Sequence, residues 1–553
     1  MKKVLTLLVC SLFTVSLVLP SALGLPPADP SDTAMRSIHA DAIRADMGFL
    51  SDDLLEGRGT ATRGHLIAAR FMAAEFESMG LAPMGDSSTY FQNVPLRSAR
   101  SDETNSSLTL THDGKSRTLA YRKDYISSAN LLHTESSVEA PVVYVGFGVT
   151  APDQNYDDYQ GVDTKGKIVG VIFGAPNFES SLKAHYSSFE TKRNNAVAHG
   201  AIGILLLDDP VLESLYPFKE RVRDRSRPTL RWLQIDGRPH AAFPQLKAGA
   251  DLSLSATENL FAGGPHSAEE VFQAAKEGKP LSFDLPVTAK IRDVQKLENV
   301  SSPNVVAKLE GSDPLLKDQY LVYTAHLDHL GIGEPVKGDS IYNGALDNAS
   351  GSAILLEVAR AFSQMNPRPR RSILFVSVTG EEEGLLGSDY FANYPTVPKS
   401  QIVANVNMDE DLMLWPMLDI IPFGAEHSSL ENVAKEAAER LHLQLSPDPI
   451  PQEVVFIRSD QYSFVKQGVP ALYPSPGFMS NDPNIKPPEI FKNWEATRYH
   501  EPSDDMQQPD LHFDQAARYA QFVYLCGWLI AQDSARPTWN PHDFFGDHYA
   551  HKS

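Results

Sequence analysis

The sequence predicts an α/β protein: a mixed, largely parallel sheet flanked by helices. Two observations predict the class. Beyond Asn304, short apolar runs alternate with segments of helical periodicity, the pattern of parallel strands joined by helices. His and carboxylate residues then fall at the ends of several of those runs, where open sheets of this kind gather their sites. A third observation concerns domain number: 553 residues exceed one ordinary core, so two or more domains are expected.

Residues 1–24 read as a signal peptide. Lys2 and Lys3 form a positive start, Val4 to Leu19 is mostly apolar, and Ala22-Leu23-Gly24 offers small residues for cleavage. The apolar stretch is short for a span and holds Ser11, Thr14 and Ser16, so no stable membrane span is expected after cleavage. Export to a periplasm or to the medium follows, and the sequence does not choose between them. Of the two cysteines, Cys10 leaves with the leader, so Cys526 stays without an internal disulfide. A Pro-rich link, Leu25 to Pro30, precedes a helix from His65 to Phe76, with Gly80 as its C-cap.

From about Ala99 to Pro286 strand-like runs dominate, among them Pro141 to Gly148 and Lys167 to Phe173. A helix pattern, Lys192 to His199, leads into Gly200 to Leu207. Nothing in this stretch has metal-ligand or nucleophile spacing. Beyond Asn304 the expected strands are Tyr320–Ala325, Ile373–Val378 and Ile402–Met408. The expected helices are Ser352–Phe362, Leu430–Leu441 and Phe513–Ile530. Composition is ordinary for a globular protein, with 42% hydrophobic and 22% charged residues. The formal net charge of −21 argues against a nucleic-acid partner, because phosphate binding needs clustered Lys and Arg.

The chemistry lies in five fragments. They are His326-Leu327-Asp328-His329-Leu330-Gly331, Leu346-Asp347-Asn348-Ala349-Ser350-Gly351, Glu381-Glu382-Glu383-Gly384-Leu385-Leu386-Gly387-Ser388, Asn407-Met408-Asp409, and Tyr499-His500-Glu501-Pro502-Ser503-Asp504-Asp505. Each alone is weak; the Asp347 fragment, for example, suits a turn and helix N-cap. Jointly they bring His and carboxylates to strand ends of one sheet, and stacking such acids is costly unless cations neutralise them. Mixed His and carboxylate ligands without Cys suit zinc in a hydrolytic site.

In their order and gaps these fragments, over Asn304 to Met506, resemble the M28 family of zinc peptidases, aminopeptidase type. The likeness extends back to Leu54-Leu55-Glu56-Gly57-Arg58-Gly59. Within Val138 to Ser255, the Gly146-Phe147-Gly148, Tyr156 to Val169 and Ala196 to Leu207 stretches resemble the protease-associated (PA) domain. The resemblances imply a zinc-exopeptidase fold split by a β-rich, PA-like insertion. Residues 25–98 and 291–535 would form the peptidase domain, 99–290 the insertion and 536–553 a C-terminal tail.

The resemblance also implies two zinc ions and a set of roles. Asp347 would bridge both metals, His326 and Asp409 would complete one set of ligands, and Glu382 and His500 the other. Glu381 would be the general base, and Asp328 would accept the other ring N–H of His326. The family often carries a cis peptide after the bridging Asp, here Asp347–Asn348. Tyr499 matches a position that can stabilise an oxyanion, and a packed aromatic is the competing role. Arg458 and Asp460 resemble a loop beside the substrate pocket. His329 and Glu383 are assigned no metal role. Peptides are the expected partners, cleaved at the N-terminal residue. A carboxypeptidase of the same family, or an inactive binding module, is the alternative. Cobalt or manganese could replace zinc in such a site. Oligomeric state is not legible.

Overall fold

A computed structural model describes residues 30–550. The leader expected over 1–24 lies outside the described residues. Among those residues, no helix is long and apolar enough to cross a membrane.

The sheet that carries the site has six principal strands: β1 (Phe91–Ser101), β2 (Ser282–Leu309), β3 (Tyr320–His326), β4 (Ser372–Val378), β5 (Ile402–Asn407) and β6 (Ala471–Pro476). Their spatial order is β1-β2-β4-β3-β5-β6. The pairs β4–β3, β3–β5 and β5–β6 are parallel, whereas β1–β2 and β2–β4 are antiparallel. The expected mixed, largely parallel sheet is therefore present. β3, β4 and β5 are buried along their whole length, which is why they read as continuous apolar runs and not as alternation.

Helices cover both faces. Leu321, Tyr323 and Ala325 point into the larger cluster, with helices α1 (Ala40–Leu50), α2 (Arg63–Ser78), α3 (Ser350–Ser363) and α4 (Phe513–Gln532). Tyr320 and Val322 point the other way, onto Phe391, Ala392 and Phe464. The helix expected over 65–76 runs two residues further at each end. Thr62 caps it through His65 N, and Gly80 follows in the left-handed region at φ 71°.

α4 crosses β3 at Gly527, where a Cβ would collide with the Tyr323 ring and hydroxyl. That hydroxyl donates to Val523 O at 2.9 Å. Gly527→Ala gains about 1 kcal/mol of helix propensity. Against that stand overpacking of about 1–3 kcal/mol and a displaced buried hydrogen bond of about 1 kcal/mol. Overpacking wins, so the urea midpoint should fall; an unchanged midpoint would mean that the two elements separate freely.

Residues 99–290 build a second cluster around Val142, Tyr144, Ile168, Ile172, Leu205, Leu207 and Leu252. The strands Glu135–Val145, Ile168–Ile172, Gly203–Leu207 and Ala248–Leu252 pair in parallel. Helices are more numerous here than the strand-like sequence predicts, and include Phe189–Ala198, Phe218–Asp224, Leu254–Phe261 and Ala268–Lys276. The 28-residue strand β2 joins the two clusters. Its first half pairs with Ser107–His112 and Glu135–Val145, its second with β1 and β4.

Candidate metal centre

Parallel register brings the fragments together. His326 pairs with Val378 and Thr324 with Asn407, so β3, β4 and β5 end at one level. His326 closes β3, Glu381 and Glu382 follow β4, and Asp409 follows β5. Asp347 comes from the turn into α3, where the Asp347–Asn348 peptide is cis. Gly351 opens α3 against Asn348 Oδ1 and Met408 O, with no room for a Cβ. Asn348 binds both, donating to Met408 O and accepting from Gly351 N at 3.0 Å each. His500 reaches in from the loop after the helix Pro487–Thr497, itself in the left-handed region at φ 56°.

The two carboxylate oxygens of Asp347 face two donor groups. Oδ1 lies 3.2 Å from His326 Nε2, which is 3.0 Å from Asp409 Oδ1. Oδ2 lies 3.3 Å from His500 Nε2, which is 3.2 Å from Glu382 Oε2. Tetrahedral zinc with ligands at about 2.0–2.1 Å holds them about 3.3 Å apart, so these spacings fit donors sharing a cation. His329, which sequence reasoning set aside, stands in the second group. Its Nδ1 is 2.7 Å from Glu382 Oε1 and 3.7 Å from Asp347 Oδ2. The 2.7 Å approach lacks hydrogen-bond alignment, and both ring nitrogens and Glu382 Oε1 are buried without a hydrogen-bond partner among the described residues. Such orphaned donors and acceptors fit a cation better than an empty polar core. His326, Asp347 and Asp409 on one side, and His329, Asp347 and Glu382 on the other, are each compact enough to hold one ion.

Burial opposes the ionisation of Asp347, yet His329, His326 and His500 hold it well below the usual carboxylate range. Burial also opposes Glu382, and His500 and His329 bring it down to about 2. Glu381 goes the other way. Burial, with Asp409, Asp460 and Glu382 adding to it, pushes Glu381 well up despite His326. Two adjacent carboxylates are thus driven apart, one kept ionised and one disposed to hold a proton.

Two further residues that sequence reasoning left without a role brace the centre. Arg58 is fully buried, and burial lowers it to about 10. Its guanidinium donates to Leu327 O at 2.8 Å, Leu50 O at 2.5 Å, Asn343 O at 2.6 Å and Gly344 O at 2.8 Å, tying the His326 and Asp347 loops together. Asp504 accepts from Leu346 N and Asp347 N at 3.0 Å each. The expected partner of His326 differs in detail. Nδ1 is 3.1 Å from the backbone carbonyl of Asp328, while the Asp328 carboxylate stands 4.0 Å away. That carboxylate accepts instead from Glu381 N at 3.2 Å and Thr60 Oγ1 at 3.0 Å, so Asp328 positions Glu381.

A cavity of about 130 Å³ opens on His326, Asp347, Glu381, Asp409 and His500. Its apolar walls are Leu412, Ile421, Phe423, Phe478, Phe491 and Trp494. Tyr499 and Arg458 line it, and the Tyr499 ring stacks on His500 at 3.9 Å. Asp460 does not line it. It is fully buried, and burial pushes its carboxyl up to about 7.

Residues 304–524 match the peptidase family M28. The chain is 27% identical to transferrin receptor protein 2 of Homo sapiens over 389 residues, 63% of this chain and 44% of that protein. It is 25% identical to aminopeptidase NAALADL1 of Rattus norvegicus over 312 residues, 49% of this chain and 38% of that protein. It therefore spans less than half the length of both relatives. An aminopeptidase from Aneurinibacillus sp. strain AM-1 superposes with a TM-score of 0.54 at 19% identity, covering 93% of this chain and 99% of that one, a likeness of fold alone. The family's fragments are thus gathered at one end of one parallel sheet, and the stretch 304–524 that contains them is what matches peptidase family M28.

Proposed function

We propose that the chain is an exported exopeptidase that removes N-terminal residues from peptides, with two zinc ions held by its His and carboxylate donors. The observation that carries this reading is the division of the Asp347 oxygens between two donor groups, with Glu381 beside them in the same cavity. His326 and Asp409 would hold one ion, and Glu382 and His500 the other, with His329 orienting Glu382 or adding a ligand. Zinc in such a donor set supplies Lewis acidity and lowers the pKa of water.

The protein's own residues do the rest. Glu381 takes the proton of the attacking water and delivers it to the leaving amine, a shuttle suited to a carboxylate disposed to hold a proton. Asp328 fixes the Glu381 backbone. The apolar walls receive the first side chain, and Tyr499 flanks the scissile carbonyl. Charge favours the aminopeptidase over the carboxypeptidase. Glu453 and Glu495 line the cavity against Arg458, which already lies 3.8 Å from Glu453, while burial pushes the Glu410 carboxyl well up. A net negative cavity attracts an ammonium group more than a carboxylate. Residues 99–290 are read as a PA-like insertion bordering the cleft, within a peptidase domain of 25–98 and 291–535.

That insertion reaches the donor loop. Arg223, on the helix Phe218–Asp224, pairs with Glu501 at 2.6 Å and donates to His500 O at 3.1 Å. It thereby helps to hold His500 in its left-handed conformation. Arg223→Ala should weaken one zinc about tenfold or more, the scale of an outer partner's loss, and spare the other. Zinc retained after graded chelation reads this out; two ions lost together would place Arg223 in the general fold.

The function is tested on a panel of short peptides with free and acetylated N-termini, read by mass spectrometry. Stepwise N-terminal loss, blocked by acetylation, is expected. C-terminal trimming of acetylated peptides would establish the carboxypeptidase, and no cleavage by zinc-loaded protein a binding module.

A further inference from the structure

Residues 99–290 enclose a second cavity, of about 80 Å³, remote in character from the first. Its lining includes Arg193, Arg225 and Arg231, with Ser128, Asn130 and Thr229, and contains no Asp or Glu. This is unexpected in a chain whose net charge is −21. The space holds several waters or one tetrahedral oxyanion.

The three guanidiniums are poorly neutralised. Arg225 donates to Thr229 Oγ1 at 3.1 Å, and its nearest carboxylate is Asp251 at 3.5 Å. Asp251 is shared, since it also accepts from Ser128 Oγ at 3.0 Å. Arg231 donates only to backbone carbonyls, Leu230 O at 2.7 Å and Glu383 O at 3.4 Å. Arg193 has no hydrogen-bond or ion-pair partner among the described residues. Beyond Asp251, the acidic groups that face the cluster are Glu190 and Glu383, from farther off. Burial lowers Arg231 to about 10, with Arg193 and Arg225 pushing it further down, the mark of like charges held together.

We propose that Arg193, Arg225 and Arg231 form a binding site for a small oxyanion, a carboxylate or a phosphate, next to the Glu381–Glu383 loop. Converging guanidiniums match such a group: among the described residues Arg193 has all its N–H donors free of protein acceptors, and Arg225 and Arg231 use only part of theirs. The Thr229 hydroxyl, which accepts from Arg225, keeps its own proton as a neutral donor beside them. The site is built independently of the zinc reading, since none of its lining residues is a donor of the metal centre. Two sources share this chemistry: the terminal carboxylate of a peptide and free inorganic phosphate.

The test is calorimetric titration of the full chain at fixed ionic strength, for the wild type, Arg193→Gln and Arg225→Gln. One arm uses inorganic phosphate; the other uses acetyl-dialanine against its C-terminal amide. Phosphate binding weakened about tenfold or more in both variants supports the site and identifies free anion. Acid-over-amide binding lost in both variants supports it and identifies a peptide terminus. Any phosphate held by zinc stays the same in all three proteins. Isotherms that do not differ between wild type and variants overturn the proposal. A second readout separates binding from structure. In chloride buffer the melting temperature of Arg193→Gln should hold or rise, because a repelling charge is removed. A clear fall would assign Arg193 to the fold and overturn the proposal equally.

Discussion

Glu381→Gln is expected to lower turnover of peptide substrates by about 10²–10⁴-fold, the range of a general base, while two zinc ions stay bound. The amide keeps the shape of the side chain and cannot carry the proton. Glu381 makes its backbone bond to Asp328 whatever its side chain, so the loop should not move. Glu382, next in sequence, is the donor of the pair and is untouched. Steady-state kinetics with metal analysis on the same samples checks the result. Near-normal turnover would remove Glu381 from the chemistry. A loss of zinc alongside activity would make Glu381 a ligand and reverse the roles of the adjacent pair.

The second large effect belongs to Asp347. Asp347→Asn removes the one carboxylate that faces both donor groups. Zinc content after dialysis should fall from two ions per chain to fewer than one, and peptide cleavage with it. His500→Ala should lose one ion and keep the one between His326 and Asp409, so the two variants differ in stoichiometry as well as rate. Stability offers an independent readout. An ion bound only by the folded state stabilises it by mass action, about 2.7 kcal/mol at a hundredfold excess over Kd. Chelation should therefore lower the wild-type melting temperature and barely move that of Asp347→Asn. Two ions retained in Asp347→Asn would mean that the groups fill separately, without a shared ligand.

Much of the fold was legible because it is written locally. Tyr320–His326, Ser372–Val378 and Ile402–Asn407 are mostly apolar without alternation, the pattern that strands buried on both faces of a parallel sheet require. The helices Arg63–Ser78, Ser350–Ser363 and Phe513–Gln532 lie within two residues or so of their periodic patterns. The segment 99–290 was read as more strand-rich than it is. Its short helices, such as Phe218–Asp224, span too few turns to impose a period.

The residues His326, Asp347, Glu381, Glu382 and Asp409 could be singled out from sequence because they stand at or just beyond strand ends or at the start of a helix, and His500 because its fragment completes the order that resembles the M28 family. Tertiary structure alone decided the rest. It set His329 against Glu382 rather than in solvent, and buried Arg58 under two loops roughly 270 residues away in the chain. It brought Arg223 to His500 across 277 positions and closed three arginines around one cavity. None of these has a period or a motif, since each is a contact between chain segments that only packing makes neighbours. Strand ends and helix starts are fixed by nearest-neighbour chemistry, whereas the partners of an arginine or a histidine are fixed by where the whole chain folds.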